Sequence, residues 1–127
     1  MAYIPPDAKW YVAEIVEEYT FERDFENLVH TNMVLIRAGS PDEAYEHAVA
    51  LGKAGEYSYL NADGITVTVT FRGLRSLNVI HGDLVHGTEL MWDQNKGMSE
   101  QDLANWVVPK DRLGVFRPTR KLSETDD

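Results

Sequence analysis

The segment that most constrains the fold is a strictly alternating run that follows a tight-turn motif. From Ile65 to Arg72 the sequence reads ITVTVTFR, with apolar residues at every second position and threonine or arginine between them. A period of two puts the apolar side chains on one face of a β-strand and the polar ones on the other. The four preceding residues, NADG, tolerate the positive φ of a hairpin turn. YSYL and ITVTVTFR are therefore predicted to form a β-hairpin.

Two further strands are predicted near the N-terminus. WYVAEIVEEY, from Trp10 to Tyr19, is rich in β-branched and aromatic residues and has a period of two. In VHTNMVLIRA, Met33 to Ile36 are apolar on both parities, which is typical of a strand covered on two sides. We expect a hairpin whose second strand is more central, with the first strand as an edge. LRSLNVI and TELMWDQ are predicted as another strand pair, and LGVF as a last strand or an extended arm.

Two helices are indicated by their N-terminal caps. Ser40-Pro41-Asp42-Glu43 combines a capping hydroxyl, a proline at the first helical position and a glutamate three residues after the cap. Ala44, Ala48 and Leu51 then recur on one face, which predicts Leu51 in the core and close packing on a sheet. We expect Gly52 or Gly55 to end this helix in a left-handed conformation. A second, short helix is predicted after Ser99, ending before Pro109.

The order of these elements predicts an α+β fold. We expect an antiparallel or mixed sheet with the main helix packed on one face and a short C-terminal helix, forming a two-layer sandwich. A chain of 127 residues suits a single domain. The expected boundaries are an N-terminal tail at residues 1–7, one domain at 8–116, and a flexible acidic tail at 117–127.

Composition excludes several classes of function. Twenty-one acidic against twelve basic residues give a net charge of −9, which disfavours binding to nucleic acid or to an anionic membrane. Cysteine is absent, so the chain has neither a disulfide framework nor a thiolate metal site. The sequence has no secretory pattern and no apolar stretch long enough to cross a bilayer. We expect a cytoplasmic protein without a cofactor.

Several landmarks together resemble a known family. Four segments are similar to the bacterial domain-of-unknown-function family 4288. They are the WY strand, the segment VLIRAGSPDEAYEHAVALG, the turn and strand YLNADG and TVTVTFRGL, and FRGLRSL followed by HGDLVHGTEL. The resemblance covers about Trp10 to Trp92. It implies a small cytoplasmic bacterial domain, and it transfers no activity, cofactor or catalytic residue. The segment after Trp92 goes beyond the family pattern.

Two groups of residues have types that could support chemistry. His81, Asp83 and His86 lie within six positions and could bind zinc, nickel or copper if a loop folded back, although their spacing matches no known ligand pattern. The alternative is a polar connection between strands. Glu14 and His30 could form an acid–base pair if they lay opposite each other on paired strands, but a hydrogen-bonded sheet histidine is more common. Nucleophile-elbow and phosphate-loop motifs are absent.

The first hairpin carries acids interleaved with aromatic residues. Its candidate partner-binding residues are Tyr19, Phe21, Glu22, Asp24 and Phe25. The default interpretation of such a segment is a solvated face, and the alternative is a docking surface for a basic protein. We therefore expect a non-enzymatic protein-interaction module, either a homodimer or an adaptor or neutraliser of a basic partner such as a toxin. The competing hypothesis is a small-molecule- or metal-binding protein, even an enzyme, with a pocket between sheet and helix.

Overall fold

A computed structural model of the protein describes residues 3–116 and has an α+β fold built on a four-stranded antiparallel sheet. The strands are β1 (Trp10–Phe21), β2 (Leu28–Arg37), β3 (Tyr57–Leu60) and β4 (Thr66–Val79), hydrogen-bonded in the order β2-β1-β4-β3. The helices are α1 (Pro41–Ala54) and α2 (Glu100–Trp106), and short 3-10 turns follow at Lys110–Arg112 and Gly114–Phe116. The predicted α+β class is confirmed. The predicted tail at 117–127 lies outside the described residues.

The chain divides after Trp92 into two compact units. The first unit contains all four strands and α1, and the second contains α2 and the 3-10 turns. A single domain over residues 8–116 stays a prediction. Among the described helices, none combines the length and the apolar character that a bilayer crossing requires.

The first strand lies at the centre of the sheet. β1 pairs with β2 along one edge and with β4 along the other, from Tyr11 opposite Val79 to Phe21 opposite Val67. The prediction that the first strand is an edge and the second more central is therefore wrong. Tyr11 and Val12 are consecutive and both buried, so it is this strand that is covered on two sides.

The second hairpin is confirmed at its turn and in its alternation. Gly64 has a φ of 74°, and the Asn61 side-chain oxygen accepts the backbone N–H groups of Asp63 and Ile65 at 2.9 and 3.0 Å. Val67 and Val69 are buried, as their parity predicts. The turn therefore sets the register that directs these valines inward.

β4 is longer than its alternating part. LRSLNV is the continuation of β4 and not a separate strand, TELMWDQ forms no strand, and LGVF ends in a 3-10 turn. Two register shifts against β1 leave Arg75 and Arg72 without opposite residues. Such β-bulges restore the same side-chain orientation after an irregularity, so Leu77, Leu74 and Phe71 all face the core.

Both helices begin where their caps predict. The Ser40 hydroxyl accepts the Glu43 N–H at 3.1 Å, and Pro41 is the first helical residue of α1. In α2 the Ser99 hydroxyl and the Asp102 carboxylate complete a reciprocal capping box. These bonds satisfy backbone donors that a helix start leaves unpaired, which explains why the local sequence suffices to locate them.

The packing face of α1 differs from the prediction by about one residue. Ala44, Ala48 and Gly52 are its buried residues, whereas Leu51 is 52% exposed, so the prediction of Leu51 in the core is wrong. Small residues line the face because the helix lies close to the sheet: a Cβ on Gly52 would stand 2.3 Å from the Phe71 ring. Gly55 caps the helix with a φ of −85°, not in the expected left-handed conformation.

The core joins this helix face to the sheet. Ala44 and Ala48 pack in one cluster with Tyr11, Ala13, Ile15, Ile36 and Ala38. We call the side of the sheet that bears this cluster the core face, and the other side the outer face. Residues with odd numbers on β1 and even numbers on β2 point to the core face, because paired positions share a face.

Replacing Gly52 with alanine tests the close approach of helix and sheet. Alanine is the better helix former, but its Cβ would overlap the Phe71 ring. We expect Gly52→Ala to lower the free energy of unfolding by about 1–3 kcal/mol. Gly55→Ala is the matched control, since the only atom within 3.0 Å of its Cβ is the movable end of the Glu17 side chain. Equal denaturation midpoints for both variants would contradict the close packing.

Candidate functional site

The outer edge of β2 is an unpaired backbone edge of the described sheet. The Ala38 N–H donates to the Lys9 carbonyl at 3.0 Å, so the even-numbered residues of β2 form the hydrogen-bonded pairs with β1. Because the pattern alternates along an antiparallel ladder, the odd-numbered residues direct their N–H and C=O groups away from β1. We call Val29, Thr31, Met33 and Leu35, with these outward groups, the β2 edge.

The side chains of the β2 edge are mostly apolar and lie on the outer face. Met33 is 64% exposed, and Val29 and Leu35 are exposed as well. Natural sheets protect long edges with lysine, proline, bulges or brevity. The other edge strand, β3, has only four residues, whereas β2 has ten, pairs with β1 without a register shift, and contains no lysine or proline. Within residues 3–116, the β2 edge therefore has none of these protections.

Helix α1 closes one end of this edge. His47 Nδ1 lies 3.0 Å from the carbonyl oxygen of Arg37, which is the last outward-directed carbonyl of β2. Next to this contact, a shallow groove of about 380 Å³ runs between the strand and the helix, with Leu35, Ile36 and Leu51 among its lining residues. The exposed Leu51 lines this groove from the helix.

A second concave feature lies at the end of β4. It is an open cleft of about 820 Å³ whose lining includes Tyr11, His81, Asp83, Glu89 and Trp92. Most of the cleft is formed by the loop after β4, and Trp92 is exposed at its rim. The cleft combines aromatic surface with an imidazole and two carboxylates, which are the components of a small-molecule site.

The structure does not assemble the proposed metal ligands. His81 and Asp83 line the cleft, whereas His86 is exposed and does not line it. The Thr88 hydroxyl accepts the Val85 N–H at 3.0 Å and donates to the Asp83 carbonyl, which fixes the turn that contains His86. Within residues 3–116, no three histidine or acidic side chains are grouped so that they could hold a metal ion.

Glu14 and His30 are not brought together either. Glu14 lies opposite Met33 and Ser76, and its carboxylate accepts the Ser76 hydroxyl at 2.6 Å. His30 lies opposite Glu17 on the core face, with its ring 4.5 Å from that of Tyr19. The two side chains point to opposite faces of the sheet, so an acid–base pair between them is excluded by the register.

The candidate partner-binding residues are distributed over a strand end and a loop. Tyr19 and Phe21 belong to β1 and are partly buried, whereas Phe25 stands fully exposed in the loop between β1 and β2. Glu22 and Asp24 are exposed in the same loop, where Asp24 accepts the Glu26 N–H at 3.0 Å. We call residues 22–27 the acidic loop.

Sequence reasoning missed the β2 edge as a site. The signal is present, because Met33 to Ile36 are apolar on both parities, but this pattern alone predicts a strand covered by its own chain. In the described structure burial is confined to the face of β2 that bears Ile36, and Met33 and Leu35 on the other face are exposed. Trp92, at the rim of the cleft, has no local pattern that distinguishes a rim residue from a core residue.

Metal addition tests the separation of His81 from His86. A ligand raises the melting temperature only if it binds the folded state in preference to the unfolded one. We expect zinc or nickel, with and without chelator, to leave the melting temperature unchanged by calorimetry. A rise that disappears in the His81→Ala, His86→Ala double variant would contradict the described loop.

Of three comparisons with known proteins, one gives a match, and its bounds agree with those of the first unit. No curated protein and no solved structure matches the chain. One protein family matches residues 10–92, that is, from the start of β1 to the end of the first compact unit. The match covers well over half of the chain and confirms the resemblance noted in the sequence. The chain belongs to the family described as Domain of unknown function (DUF4288).

Proposed function

We propose that the protein is a non-enzymatic interaction module that binds an extended polypeptide segment along the β2 edge. The observation that supports this proposal is the long, regular and unprotected edge with exposed apolar side chains at Val29, Met33 and Leu35. An added strand receives main-chain hydrogen bonds from the edge, and its alternate side chains supply specificity. The β2 edge offers both components.

The remaining architecture supports a binding role. We infer a two-layer arrangement in which α1 covers the core face, because Ala44 and Ala48 share a cluster with strand residues. In this scaffold β1 pairs with one edge of β2, and the described strands leave its other edge open. The absence of cysteine suits a reducing compartment, and we propose a cytoplasmic location. The acidic loop, with Phe25 exposed, is a secondary surface that a basic partner would favour.

Selection from a random peptide library tests the function, because it does not require the natural partner to be identified first. Ten-residue peptides are selected on immobilised protein at low density, and binders are titrated by fluorescence anisotropy. We expect extended, β-branched peptides whose affinity falls about tenfold or more for Met33→Lys and Leu35→Lys, equivalent to about 1.4 kcal/mol.

The control for this experiment is Leu60→Lys. Leu60 is an exposed residue on the other edge strand, so it receives the same charge at a place that the proposal does not use. Binders that lose affinity equally in Leu60→Lys, or that keep full affinity for both β2 variants, would contradict a site on the β2 edge.

The cleft supports a second candidate function, the binding of a small molecule. Its volume of about 820 Å³ falls in the range of ligand sites, and Trp92 and His81 provide stacking and hydrogen-bonding groups. We expect fragments detected by ligand-observed NMR to lose binding in Trp92→Ala. Trp106→Ala, which removes an exposed tryptophan from the second unit, is the control. Fragments unaffected by Trp92→Ala would argue against the cleft.

A further inference from the structure

We infer that the segment taken by the β2 edge is β2 of a second copy of this chain, paired antiparallel about a two-fold axis at Asn32. This inference rests on the proposed function and names its partner. A two-fold contact uses the same surface on both copies, so the surface has to be complementary to itself. Charge, register and shape of the β2 edge each meet that condition.

Charge favours a second copy over a basic protein. The chain carries a net charge of −9, so two copies repel each other over most of their surfaces. β2, with the sequence LVHTNMVLIR, contains no acidic residue and a single cation, Arg37. An edge without acidic residues offers a basic partner no carboxylate for an ion pair. It is, however, a place where two acidic copies can approach without bringing carboxylates together.

Antiparallel pairing also brings the Arg37 end of one copy beside the acidic loop of the second copy. Arg37 ends β2, and the acidic loop precedes its first residue, Leu28. In an antiparallel pair centred on Asn32, Arg37 of one copy lies opposite Asn27 of the second copy, next to Glu26. The two-fold axis repeats this contact at the other end. A parallel pair would instead set the acidic loops of the two copies against each other.

The free backbone groups select the register. Arg37 has its outward carbonyl occupied by His47 at 3.0 Å, which leaves Val29, Thr31, Met33 and Leu35 with outward groups that α1 does not reach. The symmetric register that uses these four residues puts Val29 opposite Leu35 and Thr31 opposite Met33. In this register Asn32 lies opposite Asn32 of the second copy. The two form a pair without hydrogen bonds, in which the Cα atoms approach to about 4.5 Å.

The groove beside the edge fits this register. Leu28 of the second copy lies opposite Ile36 and on the core face, the same side as the groove lined by Leu35, Ile36 and Leu51. Leu28 is itself exposed, so each copy offers one leucine and one groove. On the outer face, Val29 and Leu35 cover each other across the new strand pair. Part of the apolar surface left exposed on β2 is thereby removed from water.

Engineered cysteines test the register directly, because the chain contains no cysteine of its own. Asn32→Cys places two thiols across the axis at a separation that a disulfide tolerates. We expect most of this variant to form a covalent dimer under mild oxidation. Val29→Cys, an exposed position on the same strand, is the matched control: its copies lie roughly 20 Å apart in this register, from about 3.4 Å per residue. Equal cross-linking of both variants would overturn the inference.

The mass in solution supplies the second measurement. Light scattering of the wild type at micromolar concentration is expected to give twice the chain mass of 14.4 kDa, and Met33→Lys about a tenfold or greater loss of self-affinity. Met33 is exposed, so this variant is expected to keep its fold, which circular dichroism checks.

A monomeric wild type that still binds selected peptides on the β2 edge would overturn the second copy as partner and leave the proposed function standing. A dimer unaffected by Met33→Lys would overturn the inference, and peptides that ignore the edge would refute the function.

Discussion

The pairing of β1 along both of its edges is the interaction on which the first unit depends. Every other strand reaches the sheet through it or through β4, and the core cluster takes Tyr11, Ala13 and Ile15 from it. The two bulges of β4 are a consequence of this arrangement. They let a long strand follow β1 while Leu77, Leu74 and Phe71 stay on the face that meets α1.

Local chemistry allows several elements to be predicted, and non-local pairing does not. The caps at Ser40 and Ser99 and the turn at 61–64 rest on hydrogen bonds within a few residues, so short motifs determine them. Strand order depends on contacts between residues that are distant in sequence. A run of apolar residues does not indicate which part of the chain, or which partner, covers it. The packing face of α1 is mispredicted for a related reason: a hydrophobicity pattern favours Leu51, whereas close approach to Phe71 requires Gly52.

The failed expectation for β2 has a physical meaning of its own. Its sequence has the two-sided apolar character of a covered strand, yet the described residues cover only one side. Either water meets the second side, at a cost in hydrophobic free energy, or another polypeptide does. Of the functional candidates, the β2 edge is the one for which sequence composition and three-dimensional position indicate the same role. Of the other candidates, the strand register separates Glu14 from His30, and His86 does not line the cleft that His81 and Asp83 line.

The central position of β1 also determines the order in which the sheet can be completed during synthesis. β1 and β2 are separated by a short loop and can pair early, but β4 follows them by roughly thirty residues, and at ribosomal rates of about 5–20 residues per second that delay lasts seconds. During that interval the nascent hairpin has unpaired backbone on both sides. Contact between neighbouring nascent chains on one messenger RNA would then engage β1 as readily as β2. Once β4 is synthesised, it pairs with the free edge of β1, and only β2 can then engage a neighbouring chain.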